Sequence, residues 1–154
     1  MYLQQEIASL KENFKHGSKQ ATSVSAKGID WHVHHSLLVI SGVCYLLMQS
    51  NPKDYQPKFN FLKQVIMTTG VIPRGKAKAP KGVVPPEKID RQETQKLFSK
   101  VESQLKELEN LSKNHFYTHH IFGDLNLKNS VKFLGIHTKH HLKIIRDILA
   151  VGKL

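Results

Sequence analysis

The sequence predicts an all-α fold, a bundle of four main helices joined with one long crossover. Three observations carry that reading. Apolar residues recur at steps of three and four over several long stretches of the chain. A proline- and glycine-rich segment, residues 71–86, is too broken for a helix or a central strand and has the length of a crossover. No credible pair of strands stands anywhere between the helical stretches. At 154 residues the chain is long enough for one real core and too short for two, so residues 1–154 are read as a single domain.

Residues 2–14 read as an amphipathic first helix, with Leu3, Ile7, Leu10 and Phe14 along one face and Gln, Glu and Lys along the other. From His16 to Gly28 no apolar period is sustained, which marks a loop. Asp30 is placed to cap a second helix running from Trp31 to about Ser50, and Asn51-Pro52 stops it. That helix is apolar almost all round from Leu37 to Met48, so it is expected to be the most buried element. A shorter helix follows over residues 57–69, with Phe59, Leu62, Val65 and Ile66 as its apolar face and Gly70 at its end. The loop 71–86 concentrates Arg74, Lys76, Lys78 and Lys81. It reads either as a lid that brings Arg74 or Lys76 to an acidic substrate group, or as a solvated crossover. Residues 91–111 form a fourth helix on Leu97, Val101, Leu105, Leu108 and Leu111, with Glu102 and Lys106 spaced for a surface pair. The segment 114–125 breaks the pattern with histidines and aromatics and reads as a short loop able to close over a site, before Asn126 caps the last helix.

A 40% apolar and 23% charged composition is ordinary for a globular chain. The net charge of +11 raises the question of a polyanionic partner. The cations are spread along the chain, however, and no nucleic-acid motif accompanies them, so nucleic acid is not the expected partner. The one cysteine, Cys44, excludes an intramolecular disulfide and reads as a small core residue. The start at Met1 lacks the basic-then-apolar pattern of a secretory signal, and no apolar run reaches membrane-spanning length free of polar residues. The expected compartment is the cytoplasm, with no membrane involved.

The chemistry lies in the histidines. His137 and His141 stand four apart and share one helix face with Leu134, Ile145 and Ile148, an apolar stripe with two imidazoles in its middle. Burying two imidazoles costs free energy unless their ring nitrogens are satisfied, and a divalent metal serves both at once. The plainer reading is that such a pair arises by chance in a chain with ten histidines and bonds carbonyls or water. Two ligands are also too few for a catalytic site. His140 falls to the side of this face. His32, His34 and His35 at the entrance of the second helix are where a third ligand is sought, against the alternative that they line a solvent-exposed helix end.

Three stretches, Trp31-His32-Val33-His34-His35-Ser36-Leu37-Leu38-Val39-Ile40, His119-His120-Ile121-Phe122-Gly123-Asp124-Leu125 and His137-Thr138-Lys139-His140-His141-Leu142, in this order and spacing, resemble the DinB/YfiT-like superfamily. More narrowly they are similar to a branch known mostly as a domain of unknown function. The likeness runs from the second helix to about Ile148. It implies a four-helix bundle of up-down-down-up topology, often dimeric. It also implies a divalent metal (zinc, nickel, iron or manganese) on three histidines, one from the second helix and two from a His-x-x-x-His on the last. Matched onto this chain, those ligands are His35, His137 and His141, with His34 as the rival of His35. The aromatic loop matches a His-Pro-aromatic-Phe-Gly pattern with His119 in the first place and His120 where proline is usual.

Characterised members of that superfamily include S-transferases using low-molecular-weight thiols, hydrolase-like enzymes and isomerases. The resemblance therefore implies an enzyme acting on a small molecule, its metal lowering the pKa of water in a hydrolase or of a thiol in an S-transferase. His34, His140 and His119 are then partners of the ligands or proton carriers, and Arg74 a group for an acidic substrate. Asp124 and Asp147 are the only acidic residues near the motif and neither is placed as a general base, which favours thiol transfer. The competing expectation is a non-catalytic bundle, a binding or stress-associated protein whose histidines are remnants of a metal site.

Overall fold

A computed structural model describes residues 1–75 and 78–151. In chain order these form α1 (Gln4–Phe14), α2 (Ile29–Gln49), α3 (Phe61–Thr69), α4 (Arg91–Glu107), a hairpin of β1 (Phe116–His119) and β2 (Gly123–Asn126), and α5 (Leu127–Val151). The fold is mostly helical, as the periodicity requires.

A helix that is apolar on nearly every side must be covered on nearly every side. α2 is accordingly the centre of the fold, packed by α4 and α5 with α1 laid across α2 and α5. Ile29, Val33, Leu37, Ile40, Cys44 and Leu47 of α2 are buried, as are Ile7 and Leu10 of α1, Val101 and Leu105 of α4, and Leu134, Ile145 and Ile148 of α5. Among the described residues α2 is the one helix long and apolar enough to cross a membrane, and most of that apolar stretch is covered by the rest of the chain. Cys44 sits in the core as expected, and burial pushes its thiol up to about 12, so it is no nucleophile.

Several local expectations are corrected. α2 begins at Ile29, with Gly28 at the cap position; a Cβ on Gly28 would meet the Ser18 carbonyl oxygen at 2.9 Å. Asp30 is already inside the first turn, where its Oδ1 accepts from the Trp31 N–H at 2.8 Å. α3 begins at Phe61, because the Asn60 side chain caps it by accepting from the Lys63 N–H. Of its expected apolar face only Ile66 is buried, with Met67 beside it: Phe59 is 82% exposed, and Leu62 and Val65 face outward. α4 stops at Glu107 and tightens into a 3₁₀ turn over Leu108–Asn110. Glu102 pairs with Lys11 of α1 at 2.6 Å instead of with Lys106.

The absence of strands is the largest correction. Phe116, Tyr117 and Thr118 have strong β preference. They pair antiparallel with residues 124–126, and His119 pairs with Gly123, which takes a left-handed φ of +70°. Each strand is four residues long, too short to show an alternating pattern in the sequence. Asn126 then caps α5 as expected, its side chain accepting from the Asn129 N–H at 3.0 Å.

Candidate metal centre

Two faces meet beside the hairpin. On α2, His32 and His35 stand three apart and so share the side turned to α5. On α5, His137 and His141 look back at them. The ring centroids are 5.2 Å apart for His35 and His137, 4.7 Å for His35 and His141, and 4.6 Å for His137 and His141. One nitrogen from each of these three rings lies within 4.8 Å of one from each of the others. Ligands about 2.0–2.1 Å from a tetrahedral ion are roughly 3.4 Å apart, so the set needs to draw in by no more than about 1.4 Å to hold one.

The hydrogen bonds decide which nitrogens are free. His35 Nδ1 is 2.7 Å from the Val83 carbonyl, which can only accept, so Nδ1 carries the proton and Nε2 keeps its lone pair. Trp31 stacks on the same ring with centroids 5.0 Å apart and planes 13° from parallel, which fixes its orientation. His141 Nδ1 lies 3.0 Å from His32 Nδ1, and His32 Nε2 lies 2.9 Å from Ser25 Oγ. One of the two facing Nδ1 atoms must donate. If His141 does, His32 donates onward from Nε2 to Ser25, and His141 Nε2 is left with a lone pair for an ion. The reverse arrangement protonates that nitrogen. His137 Nδ1 is buried with no hydrogen-bonding partner among the described residues, a polar atom the polypeptide itself leaves unmet.

Electrostatics point the same way. Burial, with His35, His140 and His119 nearby, holds the His137 ring down to about 3. Burial lowers His141 well below the ordinary histidine value, with His137 and His35 adding to the effect, and it lowers His35 against the Val83 hydrogen bond. Three neutral imidazoles are the donor set a divalent metal takes. The chemistry of the donors and the unmet His137 Nδ1 therefore both fit such an ion.

The other expected residues are distributed unevenly. His34, the rival ligand, turns to α4: its Nδ1 donates to Thr94 Oγ1 at 2.8 Å, while the Thr94 hydroxyl donates to the Asp90 carbonyl. It is separate from the triad. His140 lines the cavity beside the triad, lowered by burial and by Arg74. His119 also lines it, but its Nδ1 accepts from the Ile121 and Phe122 N–H groups at 3.1 and 3.2 Å and so locks the hairpin turn. Arg74 pairs with Asp147 of α5 at 2.6 Å, a tether of the loop rather than a group reaching toward a substrate. Lys76 lies outside the described residues.

Three contributors were not assigned from the sequence. His32 as the partner of His141 was foreshadowed only by its spacing of three from His35. Ser25 lies in a stretch read simply as loop. The Val83 carbonyl had no signal at all, because a backbone acceptor carries no residue signature. Of the two readings of loop 71–86, the solvated crossover holds for most of its described residues, which are exposed between α3 and α4. The loop tightens into a 3₁₀ turn at Lys81–Val83 and delivers that carbonyl to His35.

Replacing His32 by phenylalanine is expected to lower metal affinity about 10- to 100-fold, since partners of this kind orient the ligand and set its tautomer. His32→Asn, which retains an acceptor for His141 Nδ1, should recover much of the loss. Competition against a chromophoric chelator measures the affinity, and ¹⁵N spectra of the His141 ring report the tautomer. An unchanged affinity in His32→Phe would remove the role.

Comparison with protein-family models, with curated proteins and with solved structures gives no match for this chain.

Proposed function

We propose that the protein is a metal-dependent enzyme of the DinB/YfiT-like type, in which a divalent ion on His35, His137 and His141 activates water or a low-molecular-weight thiol toward a small-molecule substrate. The convergence of those three rings from α2 and α5 is the observation that carries the proposal. In this reading α1, α2, α4 and α5 are the four main helices, and residues 51–90, with α3 inside them, are the long crossover. Zinc, nickel, iron and manganese all accept imidazole nitrogen, so the ion is left as a divalent metal.

When bound, the ion supplies Lewis acidity that brings the pKa of water or of a thiol at its open position toward neutrality. The chain does the rest. Trp31 and the Val83 carbonyl hold His35, and the His32–Ser25 pair holds His141. His140, neutral and beside the triad, is the ring at hand to exchange a proton with the reacting group. Among the described residues no Asp or Glu lines the cavity. Asp124 is engaged by Thr118 and by the Gln56 N–H, and Asp147 by Arg74. That favours the S-transferase form, because a thiol starts with a pKa near 8.5 and needs far less help from a base than water does. A cytoplasmic location follows from the same reading, since reduced thiols are kept there.

Homodimerisation belongs to the proposal as well. Phe61, Leu62 and Val65 of α3, with Phe59 before it, form an outward apolar surface for a second copy.

The test is elemental analysis of the protein as purified, followed by thiol-plus-electrophile and ester panels with and without chelator. Chelator-sensitive, thiol-dependent consumption of the electrophile is expected. Protein that carries no ion and binds no added zinc, nickel or manganese would end the proposal.

A further inference from the structure

The triad lies in a cavity of about 610 Å³, the size of a small-molecule site. One wall is a single stripe of α2. His35, Val39, Gly42 and Leu46 follow one another at steps of four, three and four, and all four line the cavity. Eleven residues of helix rise span about 16 Å, so the cavity is long as well as large. His35 stands at the ligand end. Leu46, 47% exposed, stands at the mouth, where Leu62 of α3 also both lines the cavity and faces outward.

The middle of this stripe is the informative part. Gly42 sits inside a 21-residue helix, where glycine weakens the structure relative to alanine. A Cβ built on it would meet nothing within 4 Å. No neighbouring backbone or side chain therefore excludes a side chain there. Ile66, Phe122 and Phe133 also line the cavity, and Lys78 is the one charged residue among the described lining.

We infer that this channel takes an elongated substrate with an apolar body free of positive charge, its polar head at the three imidazoles, and that Gly42 determines how long a body is admitted. An apolar wall without carboxylates has no counter-charge for a cation along its length, and desolvating one there would be costly. A chain or flat ring system meets Val39, Leu46, Leu62, Ile66, Phe122 and Phe133 among the lining side chains. The placement of the head rests on the metal-centre reading above; the selectivity of the channel does not.

Two measurements test this and separate the two readings. In zinc-loaded protein, binding of alkyl hydroxamates from ethyl to octyl is expected to tighten roughly three- to fourfold per methylene until the channel is full. In metal-free protein, displacement of 8-anilinonaphthalene-1-sulfonate by 1-alkanols of the same lengths should show the same trend. Gly42→Leu puts a side chain into the open space. It should melt no lower than the parent, bind ethyl hydroxamate as before, and lose about tenfold or more of its octyl affinity, with Gly42→Ala in between. Flat chain-length dependence in both arms would overturn the inference, as would a Gly42→Leu protein that binds octyl ligands undiminished. A rising alkanol series in a protein that takes up no zinc would support the channel while removing the metal enzyme.

Discussion

Changing His137 to alanine is expected to abolish stoichiometric metal binding while leaving the metal-free fold nearly as stable as before. The loss follows from ligand count: His35 and His141 alone cannot make the three-ligand set that a catalytic ion needs. The small effect on the empty fold follows from the same atom. His137 Nδ1 is buried without a partner, and an unmet buried polar atom costs about 1–3 kcal/mol, which the substitution relieves and which offsets the packing it removes. Metal-dependent stabilisation should differ sharply between the two proteins. An ion present at a thousandfold over its dissociation constant stabilises a binding-competent fold by about 4 kcal/mol. Thermal melts with and without zinc should therefore separate for the parent and coincide for His137→Ala. Equal metal content in both proteins would dismiss the triad. Equal melts and unchanged ligand binding under all conditions would instead favour a non-catalytic bundle with a vestigial site.

Acidification is expected to unfold the metal-free protein over a defined window, and His119 shows why. Burial and the neighbouring His120 bring its ring down to about 4. Its Nδ1 accepts two backbone N–H groups, and a protonated ring would present a third N–H to them. The folded pKa is thus below the unfolded value near 6.5, so the unfolded chain binds the proton more readily. Stability is at its full value above about pH 6.5 and declines as pH falls toward 4, by about 3 kcal/mol for this group alone. His32, lowered to about 4, and His137, lowered to about 3, act in the same direction. Several such rings are a large share of a typical folding free energy of about 5–15 kcal/mol. Denaturant melts in the presence of chelator should be level from pH 8 to 6.5 and shift steeply below. His119→Asn, an acceptor that does not titrate, should shallow the slope by up to about 1.4 kcal/mol per pH unit at mid-window. Stability that holds level down to pH 4 would contradict the buried neutral rings.

Much of this was legible beforehand because it depends on local spacing. Val101, Leu105 and Leu108 are buried where the helical period read over residues 91–111 puts them, and the stripe from Leu134 to Ile148 faces inward with its two imidazoles. α3 misled because its apolar residues sit on more than one side. Periodicity names a face, but only the neighbours decide which face is covered. The hairpin escaped because pairing four residues with four others is a tertiary event, with the β-favouring Phe116–Thr118 run and the turn glycine Gly123 as its local signs.

The same division runs through the site. Helical repeat by itself determined that His137 and His141 point one way, that α2 lies at the centre of a helical protein, and that Cys44 is inert core. Family likeness named His35 ahead of His34 but offered no physical ground for the choice. Only the packed structure settled that His35 turns to α5 and His34 to Thr94 of α4, and only it brought Ser25, His32 and the Val83 carbonyl behind the rings. The reason is physical. Side-chain direction along one helix is set by its 3.6-residue turn, whereas the meeting of ring nitrogens from two helices with oxygens from two loops is set by how their surfaces fit together, which no single segment encodes.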